Sequence, residues 1–167
     1  MKYFIGVSIP KNYKSKIEML RVKFRLFTTE PHITIVPPPA LPDEDIFIEK
    51  IIEICKNTMP FSVNLSNLGQ FGSRVLYVQV YSPGLINLYD NIYKTLNLKK
   101  EKRGFTPHLT IVKQRPKKHP INIEKAKKLA EVRLSPYPEF TLNSITIYYQ
   151  PKKRFIYIPY MEIPLGQ

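Results

Sequence analysis

Pro31-His32-Ile33-Thr34-Ile35 and Pro107-His108-Leu109-Thr110-Ile111 are one pattern written twice: proline, histidine, apolar, threonine, apolar. In an extended segment successive side chains point to opposite faces, so each histidine shares a face with its threonine while the apolar residues bury the other. Each copy reads as a short strand offering an imidazole beside a hydroxyl. The chain has three histidines and two sit in this frame. The third, His119, lacks the threonine and the strand pattern and reads as an exposed loop residue. Two such strands meeting across a cleft present two groups that titrate near neutrality, each with a hydrogen-bond donor beside it. That arrangement suits proton transfer on opposite sides of one reacting atom.

The surroundings repeat as well. Phe61-Ser62-Val63-Asn64, turn residues up to Gly72, then Arg74-Val75-Leu76-Tyr77-Val78, parallel Phe140-Thr141-Leu142-Asn143, a turn around Gln150-Pro151, then Arg154-Phe155-Ile156-Tyr157-Ile158. Both read as β-hairpins. Helical patterns precede the histidine strands, roughly over 11–25 and 84–97, and follow them, roughly over 42–57 and 121–134. The chain is two copies of one unit, offset by about 76 to 80 residues. The expected fold class is α+β, with duplicated β-α-β-α-β units whose antiparallel sheets enclose a central cleft. Residues 1–167 are expected to form a single domain of two pseudo-symmetric lobes.

A length of 167 residues suffices for a core that needs no covalent staples. The run Lys2–Ile9 is rich in strand formers and stopped by Pro10, and it is too short for a signal peptide or a membrane span. Cys55 is the single cysteine, expected on the buried side of a helix, and no Cys/His spacing suits zinc. A cytoplasmic monomer with no membrane association, no cofactor and no obligatory protein partner is the expectation. The net charge is +13, and residues 99–167 carry 15 basic and 5 acidic residues, so +10 of it lies there. The clusters Lys99-Lys100-Lys102-Arg103 before the second motif, Lys113-Arg115-Lys117-Lys118 after it and Lys152-Lys153-Arg154 in the second hairpin suit a polyanion. Asp43-Glu44-Asp45, after Pro42, reads as the acidic first turn of a helix.

Two His-x-Thr-x motifs in a duplicated chain of this size resemble the 2H phosphoesterases, and most closely the branch with RNA 2′,3′-cyclic phosphodiesterase and 2′-5′ RNA ligase activity. The resemblance implies His32 and His108 as the catalytic pair, with His108 as base and His32 as acid, and Thr34 and Thr110 as phosphate ligands. Related members commonly carry an arginine shortly after the second motif; here Lys113 stands nearest. Arg74, Arg154 and Tyr157 join Lys113 as further substrate-binding candidates. Tyr77 reads as a core residue, and Tyr148-Tyr149 as exposed rings for stacking on a base.

The implied activity is metal-independent opening of 2′,3′-cyclic phosphates, on RNA ends or small cyclic nucleotides, to 2′-phosphates. In-line displacement at phosphorus needs a base where water enters and an acid where the alkoxide leaves, and two imidazoles from two lobes meet that need. With a 5′-hydroxyl in place of water, the same site is a 2′-5′ RNA ligase. A non-catalytic module that binds RNA or cyclic phosphates would use the charge and the 11 tyrosines equally well, but has no need of both His-Thr pairs. A metal-dependent hydrolase is disfavoured because neither motif contains a carboxylate.

Overall fold

Tyr3 to Val7 are buried without a break, so the opening run Lys2–Ser8 (β1) lies in the middle of a sheet and is covered on both faces. The computed structural model describes residues 2–167 apart from Phe27, Asp43, Glu101, Arg103, residues 115–119, Lys153 and Arg154. After β1 come α1 (Lys11–Lys23), β2 (His32–Val36), short 3-10 turns at Pro38–Ala40 and Asp45–Phe47, and α2 (Ile48–Lys56). β3 (Phe61–Phe71), β4 (Val75–Tyr81), α3 (Pro83–Thr95) and β5 (His108–Lys113) follow, then α4 (Ile123–Leu134), β6 (Glu139–Leu142), β7 (Ser144–Gln150) and β8 (Ile158–Pro164). The strands form one eight-stranded sheet in the order β6-β3-β4-β5-β2-β1-β7-β8, antiparallel at every pairing. The expected α+β class and duplicated unit are what forms.

The repeat is visible in the pairing. β1 pairs with β2 as β4 pairs with β5, but the third strand of each unit crosses over: β3 lies beside β4, and β7 beside β1. Neither half is therefore a closed unit of sequence. The exchange is completed where Phe61 to Asn64 of β3 pair with Leu142 back to Glu139 of β6.

The helices repeat in their details too. α1 and α3 are each 13 residues long. Arg25 and Asn97, just past their ends, share a left-handed φ of 51°. The Leu26 and Leu98 N–H groups donate back to the carbonyls of Arg21 and Tyr93, a C-terminal motif that satisfies carbonyls the helix leaves open. Ser82 caps α3 by accepting from the Leu85 N–H at 3.2 Å, with Pro83 in the first helical position, and Asn122 caps α4 from Lys125 at 2.9 Å. Cys55 is fully buried, on α2 as expected. Among the described residues no helix is long and apolar enough to cross a membrane.

Three expectations are corrected. The return strand of the second hairpin, β8, begins at Ile158, and Phe155 to Tyr157, expected within it, are loop. Successive apolar residues there imitate a strand, yet Phe155 and Ile156 are 60% and 51% exposed, so no core face rewards pairing. Arg74 lies in the turn before β4, not in the strand. The helix expected over 42–57 is a 3-10 turn at Asp45–Phe47 followed by the shorter α2. Arg115, His119 and Arg154 lie outside the described residues.

The β3–β4 hairpin turns at Gly72, whose φ of +54° favours glycine. Gly69 is needed for space: a Cβ there would come 2.4 Å from the Tyr77 ring on the facing strand. Gly69→Ala should therefore push Tyr77 off β3 and cost about 1–3 kcal/mol. Chemical denaturation checks this; wild-type stability in the variant would show that the ring moves aside freely.

Candidate active site

The two motif strands meet at the middle of the sheet through one register pair, Ile33 with Leu109. Both of these side chains are fully buried on the covered face. In an antiparallel pair, stepping one residue either way sets Thr34 against His108 and His32 against Thr110. Each imidazole thus faces the hydroxyl of the other strand, and all four side chains are half-buried on the cleft face.

Both imidazoles are held the same way. His32 Nδ1 lies 2.6 Å from the carbonyl of Glu30, and His108 Nδ1 lies 2.8 Å from the carbonyl of Thr106. A carbonyl only accepts, so Nδ1 donates in each ring and Nε2 is left to take up or release the working proton.

Each histidine also leans on an aromatic pair. Under His32, Phe4 and Tyr148 stack at 4.4 Å and 6°, with the imidazole 4.7 Å from the Phe4 ring. Beside His108, Phe71 and Tyr77 stack at 4.2 Å, with the imidazole 5.1 and 5.3 Å away. Tyr77 is buried, as expected, but it is also a wall of the site. Tyr148 overturns its expectation. It is fully buried, and its hydroxyl donates to Glu30 Oε1 at 2.9 Å, while Lys14 binds the other carboxylate oxygen at 2.6 Å. Burial pushes the Tyr148 phenol well above its usual range, with the Glu30 carboxylate adding to the effect.

Arg21 has no counterpart in the expectations. It projects from the apolar stripe Tyr13, Ile17, Leu20 of α1 and is buried. Its guanidinium donates to Thr110 O at 2.7 Å, Thr29 O at 2.9 Å and Ile111 O at 3.1 Å. Ile111 is the extra residue of a β-bulge, since Leu76 pairs with Val112 and Tyr77 with Thr110. Arg21 therefore ties the strand of His108 to the segment that leads into His32. The signal in the sequence was a charged residue on a helical apolar stripe.

Burial lowers the His32 pKa to about 4 against the Glu30 carbonyl bond, which opposes the shift; the nearby charges of Arg21 and His108 lower it further. Burial brings Arg21 down to about 10, which leaves it charged at neutral pH.

Among the other candidates, Lys113 follows the bulge. The extra residue puts it on the cleft face beside Val75, where strict alternation would have turned it away. Arg74 is exposed in the turn, and its carbonyl accepts from Gln114 N–H at 2.8 Å, so it sits at the same end of the cleft as Lys113. Tyr157 is half-buried: its ring meets the Phe4 edge at 5.1 Å and its N–H donates to Thr29 Oγ1 at 3.0 Å. Among the described residues no three His, Cys, Asp or Glu side chains cluster as metal ligands would.

The model of the 2′-5′ RNA ligase superfamily matches residues 21–154. The chain belongs to this superfamily, the 2H phosphoesterases. It is 26% identical over 124 residues to an RNA 2′,3′-cyclic phosphodiesterase of Methanocaldococcus jannaschii, covering 66% of this chain and 70% of that one. In fold it is similar to E. coli LigT complexed with 3′-AMP, with a TM-score of 0.65 at 20% identity over 99% of this chain and 98% of that one. A Thermus thermophilus protein covers the same shares with a TM-score of 0.67 at 15% identity.

Two measurements test the site as a piece of this 2H phosphoesterase. The His32 imidazole should titrate by NMR near pH 4. Its unfolded value is near 6.5, so the unfolded chain binds the proton first, and stability present above about 6.5 should be lost as pH falls towards 4. A His32→Asn variant should lose that part of the slope. Arg21→Met strands three carbonyls and should cost about 3 kcal/mol or more, while raising the His32 midpoint because a nearby positive charge is gone. An unmoved midpoint would separate Arg21 from the site.

Proposed function

We propose that the protein is a metal-independent phosphodiesterase that opens 2′,3′-cyclic phosphates on RNA ends or nucleotides to 2′-phosphates. The observation that carries this reading is the square of His32, Thr34, His108 and Thr110 across the Ile33–Leu109 seam. The cyclic phosphodiesterase activity named for the archaeal relative and the nucleotide bound by the LigT neighbour support it. Water between phosphorus and a neutral imidazole loses a proton to Nε2 as its oxygen bonds to phosphorus. The bond to the 3′ oxygen breaks on the opposite side, and the second imidazole, protonated, gives that oxygen its proton. Thr34 and Thr110 donate to the non-bridging oxygens, where charge grows. Lys113 and Arg74 stand at the rim where an anionic strand would leave the cleft. With a 5′-hydroxyl in place of water as the nucleophile, the same ring opening forms a 2′-5′ phosphodiester, which is a ligation.

The resemblance implies His108 as base and His32 as acid. One observation favours the opposite polarity: burial keeps His32 neutral in the free protein, ready to accept a proton. The profile of kcat/KM reports the free protein. The profile should keep an acid limb near pH 4 whichever imidazole is the base, because each polarity needs one ring neutral and the other protonated and the limbs belong to the pair.

Hydrolysis of a 2′,3′-cyclic nucleotide followed by phosphorus NMR tests the reaction itself. A single 2′-phosphate product is expected, formed in excess chelator, with His32→Ala and His108→Ala each lowering kcat at least about a hundredfold. Near-wild-type turnover in either variant sinks the two-histidine mechanism. Activity that chelator abolishes and a divalent ion restores would make the histidines metal ligands instead.

A further inference from the structure

The two halves can be compared residue by residue, and at one buried position a charged side chain stands opposite an aromatic one. The matching helix ends make Tyr93 of α3 the counterpart of Arg21 of α1, since both carbonyls accept from the leucine after the left-handed residue. The strands match as well. Ile35 is the extra residue of a bulge in β2, as Ile111 is in β5. On the α1 side, the guanidinium fills the space between the helix, Thr110-Ile111 and Thr29. On the α3 side, the counterparts of those groups, Thr34, Ile35 and Phe105, are together with Tyr93 the walls of a cavity of about 350 Å³. The cavity is the place Arg21 occupies in the other half, left open.

Its chemistry is specific. Tyr89 and Phe105 stack at 4.1 Å and 3°, and Tyr93 packs on Tyr89 at 4.1 Å. At the mouth stand His108, Pro37 and Phe71, whose ring is 41% exposed. Ligand pockets span roughly 300–1,000 Å³, so this one is at the small end, with room for one nucleoside and not for a stacked strand. Planar aromatic walls bind nucleobases through their π faces whatever the base.

We propose that this cavity is the seat of the nucleobase of a terminal, unstacked nucleotide, whose phosphate lies between the two histidines. The inference rests on the reading of the site as a cyclic phosphodiesterase. It adds a direction to it. The ribose comes from the His108 side, so the leaving oxygen meets His108 and water enters from His32. Among the described residues the place equivalent to this seat is filled by the Arg21 guanidinium, so the substrate binds in one orientation.

The test compares adenosine 2′,3′-cyclic phosphate with ribose 2′,3′-cyclic phosphate, which has the ring to be opened but no base. Wild-type protein should favour the nucleotide in kcat/KM by about tenfold or more, as expected from stacking of one base. Phe105→Ala should bring that ratio towards one. Adenosine, which carries no phosphate, should shift the amide NMR signals of Thr34, Tyr93 and Phe105 in the wild-type protein, a readout that needs no variant to fold. Equal kcat/KM for both substrates with no adenosine shifts overturns the base site while leaving the reaction in place. Adenosine shifts at the cavity in a protein that opens neither substrate would keep the base site and overturn the reaction.

Discussion

Ile33 and Leu109 have to be buried, and that requirement places everything else in the site. They are the inward residues of two strands that meet at a single register pair in the middle of the sheet. Burying them on the helix side turns His32, Thr34, His108 and Thr110 to the other side, because the side-chain period of a strand is two. A slip of one residue in either strand would send an imidazole into the core and an isoleucine into the cleft. The prolines before the histidines serve the same end. A residue preceding proline is confined to extended conformations, and the carbonyls that accept from the two Nδ1 atoms belong to those residues, Glu30 and Thr106. The motif therefore carries its own tautomer control, and each copy needs the whole pattern from proline to the second apolar residue.

Much of this was legible in the sequence. The repeat of Pro-His-apolar-Thr-apolar, together with hairpin and helix patterns at a constant offset, determines strand polarity, helix order and the face on which the histidines lie. What was not legible came from pairings distant in the chain. Tyr148 looked available because Tyr148-Tyr149 ends a strand beside a turn; it is buried because β7 crosses to the other half and stacks it on Phe4. Lys113 stands out in the sequence by its closeness to the second motif; strict alternation would turn it from the cleft, and the one-residue bulge at Ile111, which the sequence does not show, is what brings it there. The apolar run Phe155 to Tyr157 carries a strand-like composition without a strand to pair with. Composition describes what a segment can do, and the partner across the sheet decides whether it does so.

The two halves are alike in backbone and unlike in electrostatics. Both imidazoles donate to a carbonyl two residues upstream, yet His32 sits over a fully buried tyrosine with the Arg21 charge close by, and burial holds it neutral. A pseudo-symmetric frame brings two chemically identical groups to one centre, and acid–base catalysis needs them to differ. Here burial of His32 supplies most of the difference, and the Arg21 charge adds to it.

Arg21 also shows why a cation so near the site is not itself a phosphate ligand. A buried guanidinium is costly unless its donors are satisfied, and three carbonyls at 2.7–3.1 Å already satisfy it. Turning it towards a phosphate would strand those carbonyls, one of them on the strand of His108, and undo the alignment that makes the phosphate site. On the proposed reading, anionic charge in the cleft is met by groups with no structural duty: the two threonine hydroxyls, whichever imidazole is protonated, and Lys113 and Arg74 at the rim. On that reading, the division keeps the buried permanent charge off the phosphate and leaves its non-bridging oxygens to the threonine hydroxyls, which can strengthen their hydrogen bonds as charge develops without holding the product afterwards.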